Sequence, residues 1–216
     1  MTTVFRDRDD AAGQLCEALK VYRGRNPLVL GIPRGSVPMA RLIAQRLQGD
    51  VDVVLVRKLS APGNPEYAIG SIDESGWSFI SDPATAAEAG PDYLEAEKAR
   101  QLQTIRERRA AYSSRRAAVE PRGRIVIVVD DGLATGSTMI AALHALRSRD
   151  PEKLVCAVPV APPETVERVR ACCDEVVCLQ APPGFHAVGQ FYREFPQVDD
   201  RAVAAALAGT PGAGRS

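Results

Sequence analysis

The stretch Val126-Ile-Val-Val-Asp-Asp-Gly-Leu-Ala-Thr-Gly-Ser-Thr138 decides how this chain folds. The apolar residues from Ile125 onwards predict a strand that is buried on both faces, as in a parallel sheet. Two carboxylates, Asp130 and Asp131, follow directly at the carboxyl end of that strand. Residues 139–146 then carry apolar side chains at a helical period. The stretch therefore predicts a strand, an acidic pair, a short loop and a helix in succession.

The loop after the acidic pair suits a phosphate dianion. It carries the hydroxyls of Thr135, Ser137 and Thr138, and it leads into a helix whose first N–H groups can bind an anion. Carboxylates repel phosphate, so the two acids suit vicinal hydroxyls, a cation, or positive charge that develops on a sugar ring. Together these groups suit a ribose 5-phosphate. A hairpin turn at Asp131-Gly132 is the alternative, but the helical period after it argues against a second strand.

The stretch resembles the phosphoribosyl-pyrophosphate (PRPP) signature of type I phosphoribosyltransferases. The shared pattern is an apolar strand, two acids, two variable residues and a small-Thr-Gly-x-Thr loop. Over residues 28–200 the chain is similar to an uncharacterised bacterial phosphoribosyltransferase family, some of whose members are fused to hydrolase domains. The resemblance implies an α/β fold with a central, mostly parallel sheet flanked by helices. It also implies Mg²⁺-dependent transfer of the 5-phosphoribosyl group from PRPP to a nitrogen nucleophile, expected to be a nucleobase, with release of pyrophosphate.

The resemblance also assigns roles to the residues of the signature. Asp130 and Asp131 would be catalytic, because they would hold the ribose hydroxyls and stabilise positive ring charge. Mg²⁺ would be held near them by PRPP and water, without a direct protein ligand. The 5-phosphate would be bound by Ala134, Thr135, Gly136, Ser137 and Thr138.

The segment Gly31-Ile-Pro-Arg-Gly-Ser36 follows the first predicted strand and resembles the pyrophosphate loop of the family. Pro33, Arg34 and Gly35 are therefore expected at the pyrophosphate, because glycine allows close backbone approach and arginine binds phosphate bidentately. An ordinary strand-to-helix turn with an exposed arginine is the alternative. Within this loop the bond from Ile32 to Pro33 would tolerate the cis form most easily.

Arg57 and Lys58 end a strand predicted over residues 51–57 and open a loop rich in proline and glycine. In the family the corresponding loop closes over PRPP and brings cations to its pyrophosphate. Both residues are therefore expected there, with Lys58 also in a catalytic role, and a solvated cation pair is the alternative. Glu66 in the same loop either deprotonates the nucleophile or is a surface residue. Residues 58–68 are expected to be mobile without PRPP and protected with it.

The segment 184–192 is rich in aromatic residues, and the resemblance places it in a hood over the acceptor. Phe185, Phe191 or Tyr192 either stack on a heteroaromatic ring or form the core of the hood. His186 is expected at the acceptor because of this location, although a lone histidine is more often structural.

The acceptor itself stays open. The 6-oxopurine enzymes of the superfamily carry an aspartate just before the Thr-Gly of the signature, and this chain has Ala134 there. That difference lowers the expectation of hypoxanthine or guanine. An amine or another small nucleophile is also compatible with the sequence. A rival interpretation is a non-catalytic sensor of PRPP or nucleotide on the same fold, acting through RNA.

Length and composition indicate one domain of ordinary core size. The chain has 216 residues, is 45% hydrophobic, and balances 27 basic against 27 acidic residues. A neutral chain makes nucleic acid an unlikely partner. No apolar run reaches transmembrane length, so a cytoplasmic protein with reduced cysteines is expected. The predicted domain is 1–208, with a core over 24–180, a hood from 1–23 and 180–208, and a disordered tail over 209–216.

Strand and helix signals alternate along the chain and support the α/β interpretation. Residues 91–116 predict a long charged helix, which would pack on the sheet or on the second subunit of a homodimer, or would contact RNA. The other predicted helices are 7–22, 37–47, 138–149 and 163–172. The predicted strands are 27–31, 51–57, 69–72, 77–80, 125–130, 153–160 and 175–179.

Overall fold

The computed structural model describes residues 4–113 and 118–208, except for the side chains of Glu66 and Ser113. The expected tail over 209–216 lies outside the described residues. The strands are β1 (Leu28–Gly31), β2 (Asp50–Val53), β3 (Val56–Ala61), β4 (Asn64–Asp73), β5 (Ser78–Ile80), β6 (Ile125–Val129), β7 (Lys153–Val160) and β8 (Glu175–Gln180). The helices are α1 (Arg8–Ala18), α2 (Val37–Leu47), α3 (Pro83–Ala89), α4 (Pro91–Ser113), α5 (Ser137–Arg147), α6 (Pro163–Arg170) and α7 (Asp200–Ala208).

The central sheet has five parallel strands in the order β2-β1-β6-β7-β8, which confirms the predicted fold class. Side chains alternate between its two faces. Val29 and Ile127 pack with α1 and α2 on one face, whereas Leu28 and Val126 pack with α5 and α6 on the other. Because both faces are covered, every position of β6 is buried. This is the physical reason for the uninterrupted apolar run in the sequence.

The strand order reverses at β1, where the chain continues to β2 on one side and lies beside β6 on the other. In an open parallel sheet, loops that leave in opposite directions at such a reversal open a crevice at the carboxyl edge. The loop after β1 and the loop after β6 both start at this crevice. The two motifs that the sequence singled out are therefore brought side by side.

The strand predicted over residues 51–57 is wrong, because the chain changes sheets within it. β2 ends at Val53, and β3 starts at Val56 in a separate antiparallel sheet with the order β3-β4-β5. Arg57 and Lys58 consequently lie near the start of a strand and not at the end of one. The apolar residues continue from β2 into β3, so the sequence pattern did not indicate that the strand ends between them.

The open loop expected over residues 58–68 is also wrong. β3 and β4 form a hairpin in which Ala61 pairs with Asn64, and Gly63 has a φ of 70°. The Pro62-Gly63 pair between them has the residue types of a type II turn. The turn chemistry suggested a longer loop, but buried Leu59 and Ile69 fix the hairpin against the rest of the domain.

A partly buried ion network attaches α4 and the antiparallel sheet to the central sheet. The guanidinium of Arg109 in α4 lies 2.7 Å from Asp52 of β2 and 2.8 Å from Glu74, directly after β4. Asp52 is 3% exposed and also accepts hydrogen bonds from the backbone N–H groups of Val53 and Val119. Helix α4 is therefore held in a fixed position over the crevice.

Helices α3 and α7 were not predicted from the sequence. Within residues 4–113 and 118–208, no helix combines the length and apolar character needed to cross a membrane.

Candidate active site

The acidic pair lies directly after β6 and is partly buried. The backbone N–H of Asp131 donates to Oδ1 of Asp130 at 2.9 Å. Burial raises the pKa of Asp130 well above its usual value, and the charge of Asp131 raises it further. Burial also raises the pKa of Asp131, although an adjacent guanidinium opposes this shift. The two neighbouring carboxylates thus have different electrostatic surroundings.

That guanidinium belongs to Arg8, the first residue of α1. Its Nε and Nη2 atoms lie 2.9 and 2.8 Å from Oδ2 of Asp131. Its Nη1 atom donates to the carbonyl of Pro196 at 2.6 Å, and its Cζ atom lies 3.8 Å from the ring centroid of Phe195. Arg8 was not predicted as a site residue, because a charged residue in the first turn of a helix resembles any solvated position.

The loop after β1 contacts the acidic pair through Gly35. A Cβ atom at this position would lie 2.1 Å from Oδ2 of Asp131 and 3.0 Å from Nη2 of Arg8. Only a residue without a side chain allows this approach. Within the described chain the cis peptide bond is Pro33–Arg34, and not the bond before the proline.

The loop after Asp131 reaches α5 through Gly136, which has a φ of 70°. Gly136 is the N-cap residue of α5. Because it has no side chain, it makes no side-chain hydrogen bond to the first N–H groups of the helix. The hydroxyls of Thr135 and Ser137 lie 3.0 Å apart. From α6, Thr165 Oγ1 donates to the carbonyl of Ala134 at 2.8 Å, which fixes the loop from outside.

A cavity of about 340 Å³ lies between the two loops, β3 and α4. Pro33, Thr138, Arg57 and Lys58 line it, so the structure brings these four predicted residues together. Arg108 of α4, which was not predicted as a site residue, lines it as well. The walls of the cavity are thus rich in positive charge.

Arg57 is partly buried in this wall beside other cations. Burial lowers its pKa, and repulsion from Arg108 and Arg100 lowers it further. Its Nε atom donates to Gln101 at 2.8 Å. The cationic side chains at the cavity repel one another, and a bound anion would relieve this electrostatic repulsion.

Arg34 does not line this cavity. Its Nη1 atom lies 3.8 Å from Asp200 at the start of α7, and its side chain is half exposed. It lines a neighbouring cavity of about 550 Å³, in which Arg108 and Tyr112 also take part. Arg108 therefore lines both cavities.

The aromatic segment after β8 packs against the N-terminus of the chain. The backbone N–H of Phe5 donates to the carbonyl of Phe191 at 2.8 Å. The ring of Tyr192 is buried, and its hydroxyl donates to the carbonyl of Asp131 at 2.6 Å. Phe185 stacks on Phe191 with ring centroids 5.2 Å apart. These contacts favour the alternative that the aromatic residues form a local core.

Two further predicted residues are not brought to the crevice by any described contact. His186 is exposed, and its backbone N–H donates to the side chain of Gln190 at 3.2 Å. The side chain of Glu66 lies outside the described part of the structure.

The similarity of the chain to known proteins agrees with this geometry. Residues 3–195 match the family model described as "Phosphoribosyl transferase domain". Two Mycobacterium tuberculosis proteins, from strains CDC 1551 and H37Rv, are provisionally named as phosphoribosyl transferases. Each is 40% identical over 205 residues, or 94% of this chain. The chain spans about half the length of these curated relatives, 46% of each.

A solved structure resembles almost the whole chain. The crystal structure of protein TT1426 from Thermus thermophilus has a TM-score of 0.86 and 46% sequence identity. The match covers 95% of this chain and 98% of that one. By its family model and its 40% identical relatives, the chain belongs to the phosphoribosyl transferase domain family.

Proposed function

We propose that this protein is a Mg²⁺-dependent phosphoribosyltransferase. It transfers the 5-phosphoribosyl group of PRPP to a nitrogen nucleophile, with inversion at the ribosyl carbon, and releases pyrophosphate. One observation carries the proposal: an acidic pair, a helix N-terminus capped by a glycine and a cation-lined cavity adjoin the same crevice. These three features match the ribose, the 5-phosphate and the pyrophosphate of one substrate.

The ribose and its phosphate would bind on the β6 side of the crevice. Residues 134–138 would hold the 5-phosphate through their N–H groups and hydroxyls. Asp130 and Asp131 would accept hydrogen bonds from the ribose hydroxyls. Their charge would stabilise the oxocarbenium-like ring as the bond to pyrophosphate breaks.

The leaving pyrophosphate would occupy the cation-lined cavity. Arg57, Lys58 and Arg108 would neutralise its charge, and Pro33 would lie against it. Gly35, in the same loop as Pro33, would let the backbone approach it. Arg34, which is half exposed, would join them by leaving its weak contact with Asp200 at 3.8 Å.

The metal ion would arrive with the substrate and would be held near Asp130 and Asp131 through PRPP and water. Among the described residues, no group of three or more His, Cys, Asp or Glu side chains could form a metal site. Mg²⁺ commonly binds through substrate phosphates and water with few protein ligands. When bound, it would supply charge neutralisation at the pyrophosphate.

The acceptor would lie under the aromatic segment after β8, near Phe185 and His186, with Glu66 as a candidate general base. We further propose a single domain with a core over 24–180 and a hood from 1–23 and 180–208, acting as a cytoplasmic homodimer.

The rival function is that of a PRPP sensor, which would bind PRPP without catalysing a reaction. A panel of nucleobases and amines incubated with PRPP and Mg²⁺, assayed for pyrophosphate release, separates the two functions.

PRPP with Mg²⁺ is expected to raise the melting temperature. A ligand at about 100 times its Kd stabilises the folded state by about 2.7 kcal/mol. For a chain of this size that corresponds to a shift of about 5–10 °C. Differential scanning fluorimetry with millimolar PRPP and MgCl₂ measures the shift, with MgCl₂ alone as the control. The absence of any shift would remove PRPP as the ligand.

The substitution Gly35→Ala is expected to weaken PRPP binding by about fivefold or more, because overpacking costs about 1–3 kcal/mol. The added Cβ would overlap Asp131 and displace either the acid or the loop. Gly13→Ala is a matched control, because its Cβ would meet nothing within 4 Å. Isothermal titration of both variants with PRPP and MgCl₂ gives the comparison. Equal affinities would show that the contact has no bearing on the ligand.

A further inference from the structure

Arg8 connects three parts of the chain that are far apart in sequence. It lies at the start of α1, its guanidinium contacts Asp131 after β6, and it binds Phe195 and Pro196 in the C-terminal segment. The side chain of Arg8 is 12% exposed and that of Asp131 is 16% exposed, so water screens this ion pair weakly. Such a contact is more than a surface salt bridge.

The geometry of the pair leaves part of Asp131 accessible for a ligand. Both guanidinium nitrogens contact the same carboxylate oxygen, Oδ2, at 2.8 and 2.9 Å. The same oxygen lies against Gly35 of the loop after β1. Oδ2 is thereby fixed between the cation and the loop, and the orientation of the whole carboxylate is set.

We propose that Arg8 is a positioning residue, which fixes the carboxylate of Asp131 so that its other oxygen meets the ribose hydroxyls of PRPP. This inference rests on the proposed function and adds a role for α1. Arg8 acts through Asp131 and does not itself contact the substrate. Arg8 also makes a hydrogen bond to Pro196 and a cation–π contact with Phe195. The position of the acid therefore depends on the packing of the C-terminal segment.

The acidic pair needs such a partner for an electrostatic reason. In the described chain, the titratable or charged groups at Asp131 are Asp130 beside it, Arg8 from α1 and Tyr192 from the C-terminal segment. Asp130 and Asp131 are close enough to repel, and both are removed from water. Of these neighbours, Arg8 is the positive one, so its removal would favour protonation of the pair.

The first test is a titration of the free protein. Carbon-13 spectra of the aspartate carboxyl groups, assigned with Asp131→Asn, are recorded against pH for wild type, Arg8→Lys and Arg8→Met. The midpoint for Asp131 is expected to rise by about one pH unit or more in Arg8→Met. Arg8→Lys, which keeps the charge, is expected to restore most of the difference. Unchanged midpoints in both variants would overturn the proposal.

The second test measures PRPP affinity by isothermal titration at pH 6 and pH 8.5 with MgCl₂. Relative to wild type at the same pH, Arg8→Met should lose about fivefold more affinity at pH 6, where its Asp131 takes up a proton. Arg41→Met is the matched control, because Arg41 also binds the C-terminal part of the chain, through the carbonyls of Ala205 and Ala206. It should show no such pH dependence.

The outcomes separate this inference from the proposed function. A loss in Arg8→Met that is equal at both pH values, or that Arg41→Met reproduces, would reduce Arg8 to a structural link. A wild type that binds no PRPP would refute the proposed function. In that case the carbon-13 titration alone decides whether Arg8 controls Asp131.

Discussion

The substitution Asp131→Asn is expected to lower turnover by about 100-fold or more, with a much smaller effect on PRPP affinity. The amide keeps a hydrogen-bond acceptor for the ribose hydroxyls, but it loses the negative charge that stabilises the oxocarbenium-like ring. An interaction that is stronger in the transition state than in the ground state appears in kcat. Loss of one preorganised electrostatic contact typically costs a factor of about 10²–10³. Steady-state kinetics with the acceptor from the product screen measure the effect.

The substitution Thr135→Val provides the contrast. It removes a hydroxyl from the phosphate loop and should mainly raise the KM for PRPP, because the phosphate is bound equally before and during the reaction. Asp130→Asn should resemble Asp131→Asn. If both Asn variants keep near-normal turnover, the acids are structural and the proposed mechanism is wrong.

The stability of Asp130→Asn gives an internal check on folding. The pKa of Asp130 is raised in the folded state, so ionisation of this buried carboxyl destabilises the fold at pH values above that raised pKa. The penalty falls as pH drops and is absent below the ordinary pKa of an unfolded aspartate. Asp130→Asn is therefore expected to melt at or above the wild-type temperature at pH 8 and to lose this advantage near pH 4. An inactive variant with this profile is inactive for chemical reasons and not through unfolding.

The substitution Arg109→Met is expected to lower the free energy of unfolding by about 3–5 kcal/mol. It would leave Asp52, which is 3% exposed, without its cation, and Glu74 would lose the same partner. Two backbone N–H groups still donate to Asp52, which places the expected loss toward the lower end of this range. Urea denaturation of wild type and variant measures the difference.

Two companion variants show whether the buried charge is the cause. Arg106→Met changes an exposed arginine of the same helix and should stay within about 0.5 kcal/mol of wild type. Asp52→Asn combined with Arg109→Met should recover part of the loss, because the charge of the most buried carboxylate is then removed, whereas the more exposed Glu74 still lacks its partner. If the double variant loses as much free energy of unfolding as the two single variants lose together, lost packing is the cause instead.

The sequence by itself determined the parallel sheet and the local shape of the crevice loops. Buried strands such as β6 need apolar residues on both faces, and a run of consecutive apolar residues in the sequence indicates such a strand. The acids after β6 and the glycine before α5 are likewise set by neighbours in the chain. Local patterns of this kind place Asp130, Asp131 and residues 134–138 beside one another without any long-range contact.

Only the tertiary structure decided which distant residues complete the site. Arg8 meets Asp131 across 123 positions of sequence, and Arg108 reaches the cavity because the partly buried Arg109 anchors α4. The hairpin of β3 and β4 was also hidden, since its turn residues suit a loop equally well. Charged side chains at helical positions resemble solvated ones until the fold removes water from around them. Their roles arise from long-range contacts and burial, which local sequence patterns do not encode.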